Sequence, residues 1–322
     1  MKGRPVKVSL IVPVYNVEKY LSDCMNSCIS QTLYDIEILC VNDGSTDNSR
    51  AILEAFAAKD HRIRIIDKKN GGLSSARNAG MREAYGDIIM FLDSDDRIAP
   101  NACERVWRET MEGAADIVIF GSTMFPLNPA PDNWLRSVLT VRTHRSRGFK
   151  PGVLFHDAGA KPFVWRQAFT RTFLEKTGVM FNEDVRFGED IVFQMEIFPQ
   201  AKNFAFISDN LYDYRWYREG SLMSGIRKDR DEKMRMHLNI IEVIAEYWRA
   251  KGWLGAWPVE FLEWMLEFVV ADVRSDEVLQ KDEHLKNLYA LIKKYGLEGS
   301  LSRVRPVIRP LARTLRAAAK AD

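Results

Sequence analysis

From residue 6 to 121, short β-rich apolar runs alternate with stretches of helical periodicity, the pattern of βαβ units and a largely parallel sheet. The apolar runs predict strands at Val6–Val14, Ile36–Asn42, Ile63–Lys68, Asp87–Leu92 and Asp116–Phe120. Helices are expected near Glu18–Gln31, Asp47–Lys59, Leu73–Ala84 and Asn101–Gly113, with Thr46 capping the second and Pro100 at the start of the fourth. Crossover helices place the C-terminal ends of parallel strands on one edge, which then collects Pro13–Asn16, Asn42–Ser45, Lys68–Gly72 and Asp93–Asp96. Ile88-Ile-Met-Phe-Leu-Asp-Ser-Asp-Asp96 ends an apolar strand on three carboxylates, where open α/β sheets bind ligands. Residues two apart face the same way in an extended chain, so Asp93 and Asp95 can share a hard cation such as Mg²⁺ or Mn²⁺ whose other positions go to water and diphosphate. The same Ser-Asp-Asp also suits a turn or a helix cap.

Beyond about residue 226, apolar positions such as Met234, Leu238, Ile241, Ala245 and Trp248 recur at spacings of three or four. Two parts are therefore expected, 1–225 carrying the site and 226–322 helical, with Pro126–Gly152 an irregular insertion near an acceptor cleft. Net charge is only +2, yet the tail sets Arg303, Arg305, Arg309, Arg313, Arg316 and Lys320 against Asp322 alone. There Val304, Ile308, Leu311, Leu315 and Ala318 form a separate stripe, which fits either an amphipathic segment on an anionic membrane or a helix docked on protein. Elsewhere the charges are mixed and lack a basic and aromatic stripe, so nucleic-acid binding is excluded. No run approaches the roughly 20 apolar residues that span a bilayer, and no signal-peptide core precedes the first strand. The expected compartment is the cytoplasm, with peripheral contact at the inner face of the cell membrane. Cys24, Cys28, Cys40 and Cys103 supply neither a disulfide framework nor a zinc motif and read as reduced core residues.

No GxGxxG follows the first strand and no GxxxxGK[ST] occurs, which disfavours a dinucleotide oxidoreductase and a P-loop enzyme. Instead, Val8-Ser-Leu-Ile-Val-Pro-Val-Tyr-Asn16, Ser30-Gln-Thr32, Glu37-Ile-Leu-Cys-Val-Asn-Asp-Gly-Ser-Thr-Asp47, Asn70-Gly-Gly-Leu-Ser-Ser-Ala-Arg-Asn-Ala-Gly80 and Phe91-Leu-Asp-Ser-Asp-Asp96 resemble the family 2 glycosyltransferases. The likeness is dense and in order over residues 5–100, thins to about 225 and stops there. It implies an α/β GT-A nucleotide-diphospho-sugar transferase fold, a mostly parallel Rossmann-like sheet flanked by helices, here with a C-terminal helical extension. It also implies an inverting transferase that uses a divalent metal (Mn²⁺ or Mg²⁺) and a nucleotide-diphosphate sugar, expected to be a UDP-sugar. The acceptor would be a glycan or lipid-linked saccharide in surface polysaccharide or lipopolysaccharide synthesis.

Carried over by position, the resemblance gives Pro13 and Tyr15 to the nucleotide base, Asp43 to its imide N–H and Arg77 to the diphosphate. Asp95 matches the principal metal ligand, Asp93 the first acid of the DxD motif, and Asp96 a weaker candidate. Gly188-Glu-Asp-Ile-Val-Phe193 resembles the segment bearing the catalytic base, Asp190, with Glu189 in reserve. Trp165–Phe169 and Tyr212–Leu222 look like the strand ahead of the base and the closing strand and loop, with aromatics suited to sugar faces. Gln-x-x-Arg-Trp is missing, which points to one sugar per encounter. Two other readings are a non-catalytic nucleotide-sugar or glycan-binding relative and a sugar nucleotidyltransferase. The presence of Asp43, Asp93, Asp95 and Asp190 argues against the first; the lack of a Gly-rich, basic loop after the first strand argues against the second.

Overall fold

The computed structural model describes residues 5–127, 133–155, 163–216, 229–273 and 278–318, and the chain divides into two compact units, Met1–Tyr217 and Arg218–Asp322. The boundary expected near 225 falls within 217–228, outside the described residues. In the first unit β1 (Val8–Val14), β2 (Ile36–Asn42), β3 (Ile63–Asp67) and β4 (Ile88–Phe91) run parallel in the order β3-β2-β1-β4. Between them lie α1 (Glu18–Ile29), α2 (Ser49–Ala57) and α3 (Leu73–Glu83). Every residue of β1, β2 and β4 is buried, as near-continuous Val, Ile and Leu runs require when helices cover both faces of a sheet. α3 lies flush on β1, because a Cβ on Gly80 would come within 2.4 Å of Ile11 Cγ2.

The chain continues through β5 (Arg97–Ile98), α4 (Ala102–Gly113), β6 (Ile117–Phe125), α5 (Asn133–Leu139), β7 (His144–Arg147), α6 (Pro151–Phe155), β8 (Gln167–Thr170), α7 (Arg171–Thr177), α8 (Glu189–Ile197) and β9 (Asn203–Arg215). β8 inserts antiparallel between β4 and β6, while β9 runs parallel to β6 and antiparallel to β5 and β7. The result is a mixed, GT-A-like sheet flanked by helices, whose parallel half is the one legible in the sequence.

Two local expectations are corrected. The stretch read as an irregular insertion contributes α5 and the edge strand β7, whose His-Arg-Ser-Arg sequence has no apolar alternation to reveal it. Residues 128–132 of it lie outside the described ones. Thr46 is not a cap either: α2 starts at Ser49, and Asp47 accepts from Ser49 N (2.9 Å) and Glu18 N (3.0 Å), tying the starts of α1 and α2 together. All four cysteines are buried and reduced.

The second unit is helical, with helices at Arg230–Ala250, Trp253–Ala256, Pro258–Val273, Lys281–Lys294 and Arg309–Ala318. Val304, Ile308, Leu311 and Leu315 are buried in it, and Arg305 pairs with Glu263 (2.8 Å) and Glu267. Of the two readings of the tail, the structure shows the helix docked on protein: the apolar stripe is packed inside the unit, and Arg303, Arg309 and Arg313 remain exposed. The side chains of Arg316 and Ala318, and all of Lys320, are outside the described residues. Among the described residues no helix is long and apolar enough to cross a membrane.

Candidate active site

The C-terminal ends of β1 to β4 meet the start of α8 at one edge of the first unit. Tyr15, just past β1, exposes 52% of its surface, whereas Pro13 is buried within the strand. After β2, Asp43 accepts from Lys68 Nζ (2.5 Å), Gly71 N (3.0 Å) and Gly72 N (2.8 Å), so it orders the Gly-rich loop. Gly44 holds φ +72°, and a Cβ there would lie 2.9 Å from Asn70 N, so the two loops touch. The acid assigned by resemblance to the base is 3% exposed and already accepts these three bonds.

Arg77 of α3 is fully buried and joins the rest of the site. Its Nη1 donates to Glu189 Oε1 (3.0 Å) and Asp190 Oδ1 (2.6 Å), and its Nη2 to Asp93 Oδ1 (3.0 Å). The guanidinium expected at the diphosphate therefore binds three carboxylates here. Next to it, Asn78 clasps the backbone of Phe181 in both directions, Nδ2 to O (2.9 Å) and Oδ1 from N (2.8 Å), which fixes the segment leading to α8. That helix starts after Gly188 at φ +76°, and Glu189 and Asp190 occupy its first turn, where the helix dipole favours acids. Asp190 Oδ2 also accepts from Val164 N (3.1 Å).

Three carboxyl groups here face one guanidinium. Burial pushes Asp190 up to about 7, opposed by Arg77 and reinforced by Glu189 and Asp93. Burial works against the charge on Arg77, but Asp190, Asp93 and Glu189 outweigh it and raise its pKa.

The Asp93–Asp96 turn, closed by Asp96 N donating to Asp93 O (3.0 Å), is gripped by β9. Asp96 accepts from Tyr212 OH (2.7 Å) and Arg215 N (2.6 Å), and Asp93 N donates to Tyr212 OH (3.2 Å). Asp96, 1% exposed, is thus a buried brace and not the weaker metal candidate of the sequence reading. Burial, then Asp95 and Asp93, raise its pKa well above the usual carboxylate range. Trp165, expected to suit a sugar face, is 3% exposed and stacks on Tyr212 (4.3 Å) and Tyr214 (5.1 Å) as core. The contacts of Lys68, Asn78, Tyr212 and Arg215 could not be read from the sequence, because their partners lie on strands and loops far along the chain. Residues 217–222 of the expected closing loop are outside the described ones.

The family model described as Glycosyl transferase family 2 matches residues 9–173. The chain belongs to that family. EpsJ of Bacillus subtilis (strain 168), an uncharacterized glycosyltransferase, is 38% identical over 212 residues, 65% of this chain and 60% of its own. The poly(ribitol-phosphate) beta-glucosyltransferase of Bacillus spizizenii is 29% identical over 223 residues, 68% of this chain and 34% of its own. The chain thus spans less than two thirds of either relative. Among solved structures, TarS 1-349 of S. aureus in complex with UDP-GlcNAc superposes with a TM-score of 0.74 at 21% identity, covering 97% of this chain and 88% of that one. It is a likeness of fold.

Asp93 and Asp95 at the turn are the residues that could hold a divalent cation. Among the described residues no group of three or more His, Cys, Asp and Glu could enclose an ion. Asp93, a quarter exposed, gives Arg77 only Oδ1, and Asp95 is half-buried one residue beyond Ser94. Two carboxylates with solvent access fit Mg²⁺ or Mn²⁺ completed by water and phosphate oxygens, not an all-protein cage.

Proposed function

We propose that the protein moves a sugar from a nucleotide-diphosphate donor, a UDP-sugar, to a hydroxyl of a glycan or lipid-linked saccharide, with inversion, during assembly of a cell-surface polysaccharide. The observation carrying this reading is Arg77, which brings the strand-end acid Asp93 and the pair Glu189–Asp190 to one centre. The UDP-GlcNAc in the TarS complex supports the donor class, and the poly(ribitol-phosphate) named for the Bacillus relative supports a role in assembling a cell-surface polymer.

On this reading Tyr15 offers its exposed ring to the base, and the ordered loop Lys68–Gly72 borders the nucleotide. Asp93 and Asp95 would hold the divalent ion, which when bound supplies positive charge beside the departing diphosphate. Asp190 takes the proton of the acceptor hydroxyl; a carboxyl titrating at about 7 is well matched to general-base work near neutrality. Arg77 holds that carboxylate in place and favours its ionised form. Reach to a lipid-linked acceptor through the tail is electrostatic, by Arg303, Arg309 and Arg313, since the apolar stripe is packed away. Screening purified protein against a panel of nucleotide sugars with Mn²⁺ tests the proposal. Turnover confined to UDP-sugars supports it, and no turnover of any donor by folded protein overturns it.

A further inference from the structure

We propose that Arg215 is a positioning residue for the donor end of the site: it fixes the peptide of Asp95 and so the direction in which Asp95 presents its carboxylate beside Asp93. The proposal rests on the reading of those two acids as cation and diphosphate ligands.

Arg215 closes β9, and its side chain runs back under the acidic turn. Nε donates to Asp95 O at 2.7 Å, while its backbone N donates to Asp96 Oδ1 at 2.6 Å. One residue thus holds the Asp95 carbonyl and the Asp96 carboxylate, and Tyr212, three residues earlier on the same strand, holds Asp93 N and Asp96 Oδ2. The guanidinium packs on two rings, its central carbon 4.6 Å from the Tyr20 centroid of α1 and 4.4 Å from the Phe125 centroid of β6. Its side chain is 13% exposed, with Asp23 3.7 Å from Nη2.

This is more than is needed to hold a turn, which Asp96 N to Asp93 O already closes. A planar cation packed on two rings and donating from Nε sets the orientation of the Asp95 peptide, and with it the Cα–Cβ direction of the acid. Lysine keeps the charge but has neither the flat face nor a donor at that point of the side chain.

The test is calorimetric titration of the full chain with UDP, with and without Mn²⁺, for wild type, Arg215→Lys and Phe125→Leu. We expect Arg215→Lys to lower the Mn²⁺-dependent gain in UDP affinity by about tenfold or more, the range for a lost charge-assisted hydrogen bond, while metal-free UDP affinity stays the same. Phe125→Leu, which loosens the packing of the guanidinium without touching the turn, should lose part of that gain, and it carries the test if Arg215→Lys fails to fold. A gain in either folded variant equal to that of wild type overturns the positioning role. So does an equal loss of affinity with and without metal, which is what general loosening of the fold would produce. A wild type with no Mn²⁺-dependent gain overturns the metal reading itself.

Discussion

Replacing Asp190 by Asn should lower activity and raise stability together, with a pH dependence that exposes the cause. The carboxyl is pushed up to about 7 by burial and by two neighbouring acids, against about 3.9 in an unfolded chain. Its folded pKa is raised, so its contribution to stability is fully present below about pH 4 and is lost as pH rises through about 7. About three units at 1.36 kcal/mol each give an order-of-magnitude cost of 4 kcal/mol for ionising this side chain in the folded state. The side chain is only 15% exposed, so solvent screens little of that. Asn is never charged, so Asp190→Asn should be more stable than wild type by up to about 4 kcal/mol at pH 8.5, with the gap closing near pH 4. Its transfer rate should fall by about 10²- to 10⁴-fold, the range for a lost general base, and wild-type kcat/KM should decline below about pH 7 as the base protonates. Urea unfolding at the two pH values and a pH profile of kcat/KM measure both sides. A variant less stable than wild type at pH 8.5 would show that Arg77 stabilises the carboxylate outright and would refute the reasoning. A large rate loss in Glu189→Gln with little in Asp190→Asn would move the base by one residue.

Arg77→Met leaves three acids without their shared cation and should cost about 3–5 kcal/mol in urea unfolding, with a smaller cost in an Asp190→Asn background; equal costs would mean the pair is not coupled. Asp95→Ala should abolish Mn²⁺-dependent UDP binding in calorimetry and leave the melting temperature nearly unchanged, since a half-buried residue at a strand end serves the site and not the core; retained metal dependence would remove it as a ligand. Leu315→Ala should destabilise the second unit by about 2–5 kcal/mol, because this tail residue is fully buried; a neutral result would restore the free amphipathic segment. Sedimentation with anionic liposomes should be salt-sensitive and lost when Arg303, Arg309 and Arg313 are changed to Glu, and binding that resists salt would contradict the electrostatic reading.

The parallel half of the sheet was readable because a strand covered on both faces is apolar at nearly every position, so Val8–Val14, Ile36–Asn42 and Ile88–Phe91 announce themselves. The mixed half was readable only in part. β7 is a charged edge strand and β5 only two residues long, so neither has a period to detect. At the site, the acids were visible as residue types at strand ends, but their partners were not. Arg77 meets Asp190 across 113 positions, a contact that no spacing along one helix or strand encodes. Asp96 looked like its neighbours in sequence, and only burial under Tyr212 separates a structural acid from those open to a ligand. In the tail the two stripes were separable in the sequence, yet periodicity alone cannot say whether an apolar stripe meets lipid or protein.

The most direct test of the central claim is to follow a UDP-sugar and a saccharide acceptor by proton NMR with purified protein and Mn²⁺, reading the anomeric signal of the first product. The account predicts UDP release and a product anomer opposite to that of the donor, both abolished in Asp190→Asn. A product retaining the donor's configuration, or undiminished transfer by Asp190→Asn, would contradict it.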